Sequence, residues 1–130
     1  MNKKILITAS VLGIIAIILG AFGAHALKEL ISVDMQQTFE TGVHYQMYHA
    51  LFLLFVGTTT LVTEKTKKTI YYLIIVGVLF FSGSIYGLAT NNLTSFDFKS
   101  IGFITPIGGL CFIISWGLLF IDLIKTKGNN

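Results

Sequence analysis

From Ile5 to Ala24 the chain carries no charged residue, and Ile, Leu, Val or Phe fill most of those positions. A helix rises about 1.5 Å per residue and the hydrocarbon core of a bilayer is about 30 Å thick, so about 20 mostly apolar residues make one crossing. This run has that length, and three further segments qualify. The strongly apolar part of the second, Ala50 to Val62, is too short by itself. It reaches span length only if the polar-aromatic stretch Val43 to His49 is helical and embedded too, which sets the span at about residues 43–63. The third span covers residues 69–90. The fourth covers about 101–121 and is interrupted by Pro106, Gly108 and Gly109. The expectation is an all-α membrane protein, residues 1–130 forming one domain built as a bundle of four transmembrane helices.

Charge patterning agrees. Apolar residues make up 54% of the chain and charged ones only 12%, against about 45–50% and about 25% in soluble domains. The formal charge of +3 comes entirely from lysine, with no arginine for bidentate phosphate or base contacts, so nucleic acid is not the expected partner. Lysine near span ends is retained on the cytoplasmic side. With alternating helices, Lys3, Lys4, Lys65, Lys67, Lys68, Lys125 and Lys127 fall on one side, against Lys28 and Lys99 on the other. Both termini are therefore expected in the cytoplasm. Lys3 and Lys4, the apolar run and Ala24-His25-Ala26 also imitate a secretory signal, but the run exceeds the roughly 7–15 residues of a signal core and reads as a retained span. Cys111 is the single cysteine and has no partner within the chain.

Between spans one and two, Leu27, Ile31, Met35, Phe39 and Val43 recur every four residues among charged and amide side chains. This pattern predicts a short amphipathic helix lying along the outer interface. Asp34 and Gln37 are its expected capping residues, and Gly42 the corner where it turns into span two. Lipid gives helices little hydrophobic reason to associate, so small residues are expected at the seams. Span one offers Gly13, Ala16, Gly20, Gly23 and Ala24, and span three offers Gly83 and Gly87 as a GxxxG. Pro106, with Gly108 and Gly109, is expected to kink span four, since proline removes a helical hydrogen bond.

Candidate chemistry gathers on the outer side: His25 at the end of span one, and His44, Tyr45, Gln46, Tyr48 and His49 at the start of span two. Polar groups at membrane depth usually face the bundle interior or water. His44 and Tyr48 share a helix face, as do Tyr45 and His49, whereas His44 and His49 lie about 140° apart. Without a companion cysteine, an HExxH or a Glu-x-x-His, no metal or cofactor is expected. Ser82, Ser84, Tyr86, Thr90, Thr105, Ser115 and Trp116 form a weaker polar set on spans three and four, and Asp122 is an interfacial charge. No nucleophile–base pair, carboxylate pair or phosphate-cradling loop is evident, so an enzyme is not expected.

Gly20 to Leu27 (GAFGAHAL), Thr41 to Leu51 (TGVHYQMYHAL), Gly83 to Ala89 (GSIYGLA) and Ile104 to Gly109 (ITPIGG) resemble the signature stretches of the small bacterial membrane family known as DUF423 or UPF0382. The resemblance spans nearly the whole chain. It implies a multi-pass protein of the bacterial plasma membrane and brings no activity with it. The leading functional expectation is a non-enzymatic protein whose outer polar cluster binds membrane lipids, a second copy or another membrane protein, or simply locks the bundle. Two rivals are a small or proton-coupled carrier, with His25, Tyr48 and His49 lining a vestibule, and a haem or metal protein using His25 and His49.

Overall fold

A computed structural model describes residues 1–126; Lys127, counted above among the cytoplasmic lysines, lies outside the described residues. Four long helices account for most of it: α1 (Asn2–Ala24), α2 (Val33–Thr58), α3 (Glu64–Ala89) and α4 (Ile104–Lys125). A 3-10 turn, Leu27–Glu29, joins the first two helices, and two more, Asn91–Leu93 and Phe98–Ile101, lie between the last two. No strand occurs among the described residues. Helices α1, α3 and α4 are long and apolar enough to cross a membrane.

The expected interfacial helix is not a separate element. Val33 to Thr58 is one uninterrupted helix, 26 residues and about 39 Å long. Its cap is Ser32, which accepts from the Met35 amide at 3.2 Å, rather than Asp34 with Gln37. Gly42 is not a corner but a contact point, because a Cβ there would lie 2.7 Å from the Tyr86 ring. The helix is continuous because both halves share one stripe. Phe39, Gly42, Val43, Gln46, His49, Ala50, Leu53 and Val56 are buried at intervals of three and four.

Helix α2 is the centre of the bundle, packing on α1 along its length and on α3. By contrast α1 buries only Ile5, Ala9 and Ala16. α2 is the most polar of the four helices, yet its Gln46 and His49 are buried, because the amide and imidazole groups find partners on neighbouring helices.

The small-residue seams differ from those expected. In α1, Ala16 is buried, a Cβ on Gly20 would lie 3.4 Å from Val43, and one on Gly23 would lie 2.9 Å from the Phe39 ring. Gly13 faces open space and Ala24 is exposed. The Gly83/Gly87 pair makes no helix–helix seam, because Gly83 is exposed and Gly87 is covered by Phe98 of the following loop. Close approach of α3 and α4 falls instead to Gly77 and Gly108. A Cβ on Gly108 would press into the backbone of Phe80 and Phe81 and lie 2.9 Å from the Gly77 carbonyl. At this crossing α3 opens into a π turn, Val78–Ser82. Pro106 stands in the first turn of α4, where its missing N–H breaks no bond within the helix, so it starts α4 rather than kinking it.

Asn2 and Thr126 lie at the same end of the bundle. Lys67 is buried there, with its Nζ donating to Thr59 O at 2.6 Å and to Asn2 Oδ1 at 3.1 Å. Asp122 accepts from the Thr63 amide at 2.9 Å, and the Thr126 hydroxyl donates to Leu61 O. Lys67 thereby places a cation against the carbonyl end of α2, the favourable pole for it.

Candidate functional site

The polar cluster read from the sequence divides into a buried group and an exposed group. Gln46 and His49 lie on the buried stripe of α2, at 2% and 3% exposure. His44, Tyr45 and Tyr48 lie on its exposed side, and His25 is exposed just past the last turn of α1. The expected face-sharing pairs are present: His44 stacks with Tyr48 (centroids 6.2 Å apart) and Tyr45 with His49 (6.4 Å).

Gln46 ties three helices together. Its Nε2 donates to Leu12 O of α1 at 2.9 Å, and its Oε1 accepts from the Tyr86 hydroxyl of α3 at 2.8 Å. Nearby, the Ser82 hydroxyl donates to Gly42 O at 2.8 Å, and Ser84 bonds Thr105 across the α3–α4 contact. These groups form a polar layer between two apolar clusters. One includes Ile5, Leu53, Ile70, Ile74 and Phe112; the other includes Ala16, Leu27, Phe39, Val43 and Ala89.

His49 is fully engaged. Its Nδ1 lies 2.7 Å from Tyr45 O, a carbonyl that can only accept, so Nδ1 carries the proton. Nε2 then presents its lone pair, and Trp116 Nε1–H donates to it at 3.2 Å. The ring lies flat on Phe112, with centroids 3.7 Å apart and an interplanar angle of 10°. A neutral imidazole held this way has no free lone pair for a metal or substrate. Among the described residues no three His, Cys, Asp or Glu side chains come together as a metal site.

His44 of the exposed group borders a cleft. The last turns of α1 and the first turns of α2 enclose a cavity of about 330 Å³, with Gly20, Gly23 and Ala24 on one wall and Phe39, Val43, Gln36, Glu40 and His44 on the other. Gly20 and Gly23 let Val43 and Phe39 of α2 come close to α1, and the cleft runs along that contact. The volume lies at the lower end of the roughly 300–1,000 Å³ usual for small-ligand sites. His44 Nε2 is 3.5 Å from Glu40 Oε1 at the rim. Gln36 is held by its Nε2, which donates to Lys28 O at 2.9 Å and Ile31 O at 3.2 Å.

Of the six cluster residues, only His44 lines this cleft. Gln36, Phe39 and Glu40 were legible in the sequence only as positions of an interfacial helix. Carrying the buried stripe of α2 backward through Gly42 would have found them.

The family model described as "Protein of unknown function (DUF423)" matches residues 19–109, a stretch that contains every residue lining the cleft. A UPF0382 membrane protein of Staphylococcus aureus is 39% identical over 126 residues, covering 97% of this chain and 99% of the relative. The UPF0382 membrane protein YwdK of Bacillus subtilis is 37% identical over 125 residues, covering 95% and 98%. The UPF0382 inner membrane protein YgdD of Escherichia coli K12 is 32% identical over 129 residues, covering 97% and 93%. No solved structure matches the chain.

Proposed function

The chain belongs to the DUF423 family of UPF0382 membrane proteins, and from that premise we propose that it is a non-enzymatic four-span protein that holds a membrane lipid in the cleft between α1 and α2. The observation that carries the reading is the cleft itself, with a glycine-floored apolar interior and a polar rim of Gln36, Glu40 and His44. A lipid has matching halves, an apolar chain for the first and a headgroup for the second.

Helix α2 is the fourth span in this reading. Its inward side is satisfied by other helices, and its exposed side over the second half includes Tyr48, Leu51, Leu54 and Phe55, side chains suited to lipid. The first turns of α2, with Asp34 and Glu40, extend past the hydrocarbon, since about 39 Å of helix exceeds a core of about 30 Å. Lys3, Lys4, Lys65, Lys67, Lys68 and Lys125 gather at the end holding Asn2 and Thr126, which favours the cytoplasm for that end and the outer surface for the cleft. The carrier reading draws less support. His25, Tyr48 and His49 face three different surroundings, and His49 offers a moving proton no free nitrogen.

The test is native mass spectrometry of protein extracted mildly from its own membrane, wild type beside Ala24→Phe. Ala24 is exposed and borders the cleft, so the larger side chain fills the cleft without entering the core. The wild type is expected to retain a lipid that the variant loses. Equal lipid retention by the two, or none by the wild type, refutes the site.

A further inference from the structure

The rim of the cleft is chemically one-sided. Gln36 has both donor hydrogens committed to the Lys28 and Ile31 carbonyls, which leaves only its Oε1 acceptor toward a ligand. Glu40 contributes a carboxylate, an acceptor on both oxygens. His44 Nε2 is directed at Glu40, and no lysine lines the cleft.

The wider field has the same sign. At this end of the bundle stand the carboxylates Glu29, Asp34, Glu40 and Asp97 against Lys28 and Lys99, and among the described residues neither lysine enters an ion pair. The last turn of α1, which supplies Gly23 and Ala24, carries no basic residue to offset the partial negative charge of a helix C-terminus. The opposite pole of α2 is already answered by Ser32 and Asp34 in its first turn.

Resting on the lipid reading above, we infer that the bound lipid carries a primary ammonium headgroup, of the phosphatidylethanolamine class, whose N–H donors bond Glu40 and the Gln36 carbonyl oxygen while an acyl chain follows Gly20, Gly23, Phe39 and Val43. A phosphoglycerol headgroup brings only negative charge and hydroxyls to a rim that is itself negative. A trimethylammonium headgroup brings the right charge without an N–H to donate. Of these three headgroups, the primary ammonium alone supplies both.

The experiment places the full chain in nanodiscs of phosphatidylethanolamine, phosphatidylcholine and phosphatidylglycerol in equal parts and reads by native mass spectrometry which lipids stay bound. Wild type is expected to retain phosphatidylethanolamine in preference. Glu40→Gln, an isosteric change at an exposed position, is expected to reduce that preference by about three- to tenfold, the effect of one partly exposed charge-assisted bond. Glu29→Gln, at the same end but outside the cleft, is expected to leave it unchanged. Lipid retained with no headgroup preference, or a preference untouched by Glu40→Gln, overturns the ammonium assignment and leaves the lipid site standing. If wild type retains no lipid, or Ala24→Phe retains as much, both inferences fall together.

Discussion

Replacing Gln46 with Leu should cost the bundle about 2 kcal/mol, with most of that loss felt at Tyr86. Gln46 is 2% exposed and makes two interhelical hydrogen bonds, at 2.9 Å to Leu12 O and 2.8 Å from Tyr86. Such bonds in membrane bundles average about 0.6 kcal/mol and reach about 1.7, so the pair is worth about 1–3 kcal/mol. The two partners respond differently. Leu12 O belongs to the interior of α1 and keeps its helical bond, whereas the partly buried Tyr86 hydroxyl loses its acceptor, a loss of about 1–3 kcal/mol. Tyr86→Phe alone keeps the ring against Phe39 (centroids 5.1 Å apart) and should cost about 1 kcal/mol. The double variant then leaves no orphan hydroxyl and should be more stable than the sum of the single losses implies, with a coupling of about 1 kcal/mol. The assay is reversible unfolding by SDS titration in mixed micelles, carried through the four members of the cycle. An energy of about 2 kcal/mol is a roughly 30-fold change in the unfolding equilibrium, well within its reach. Additivity to within about 0.3–0.5 kcal/mol, or a Gln46→Leu protein as stable as wild type, would refute the claim that this amide links α1, α2 and α3.

Two further results are expected. Gly108→Ala should destabilise the same unfolding transition by about 1–3 kcal/mol, because its methyl group meets the Phe80–Phe81 backbone; Gly83→Ala, whose methyl group would meet nothing closer than Val78 O at 3.9 Å, should gain up to about 1 kcal/mol. Equal effects from the two would remove the α3–α4 crossing at Gly77 and Gly108. Trp116 is the single tryptophan, so its indole N–H gives one isolated proton resonance; His49→Phe, by deleting the acceptor of that N–H, should move the resonance upfield. An unmoved signal would place the histidine elsewhere.

Helix identity was legible in the sequence because long uncharged runs leave the backbone few alternatives, and α1, α3 and α4 stand close to where those runs lie. The pairing of His44 with Tyr48 and of Tyr45 with His49 followed from helical spacing alone. What that spacing does not supply is the direction each face takes. In water an apolar stripe marks the inside, but lipid is as apolar as a helix interface, and the pattern loses that meaning. Gln46 and His44, two residues apart, therefore read alike, yet one is enclosed by three helices and the other borders an open cleft. The same ambiguity hid the continuity of α2 through Gly42, whose missing side chain serves Tyr86 rather than a turn. It also hid the contact of Gly77 with Gly108, while Gly83 and Gly87 matched the better-known pattern. The sequence determined by itself that the chain is helical and made for a membrane. The choice of glycines that touch, of polar groups that turn inward and of the place where a cleft remains was left to tertiary packing, because each depends on which neighbour arrives opposite and not on the residue alone.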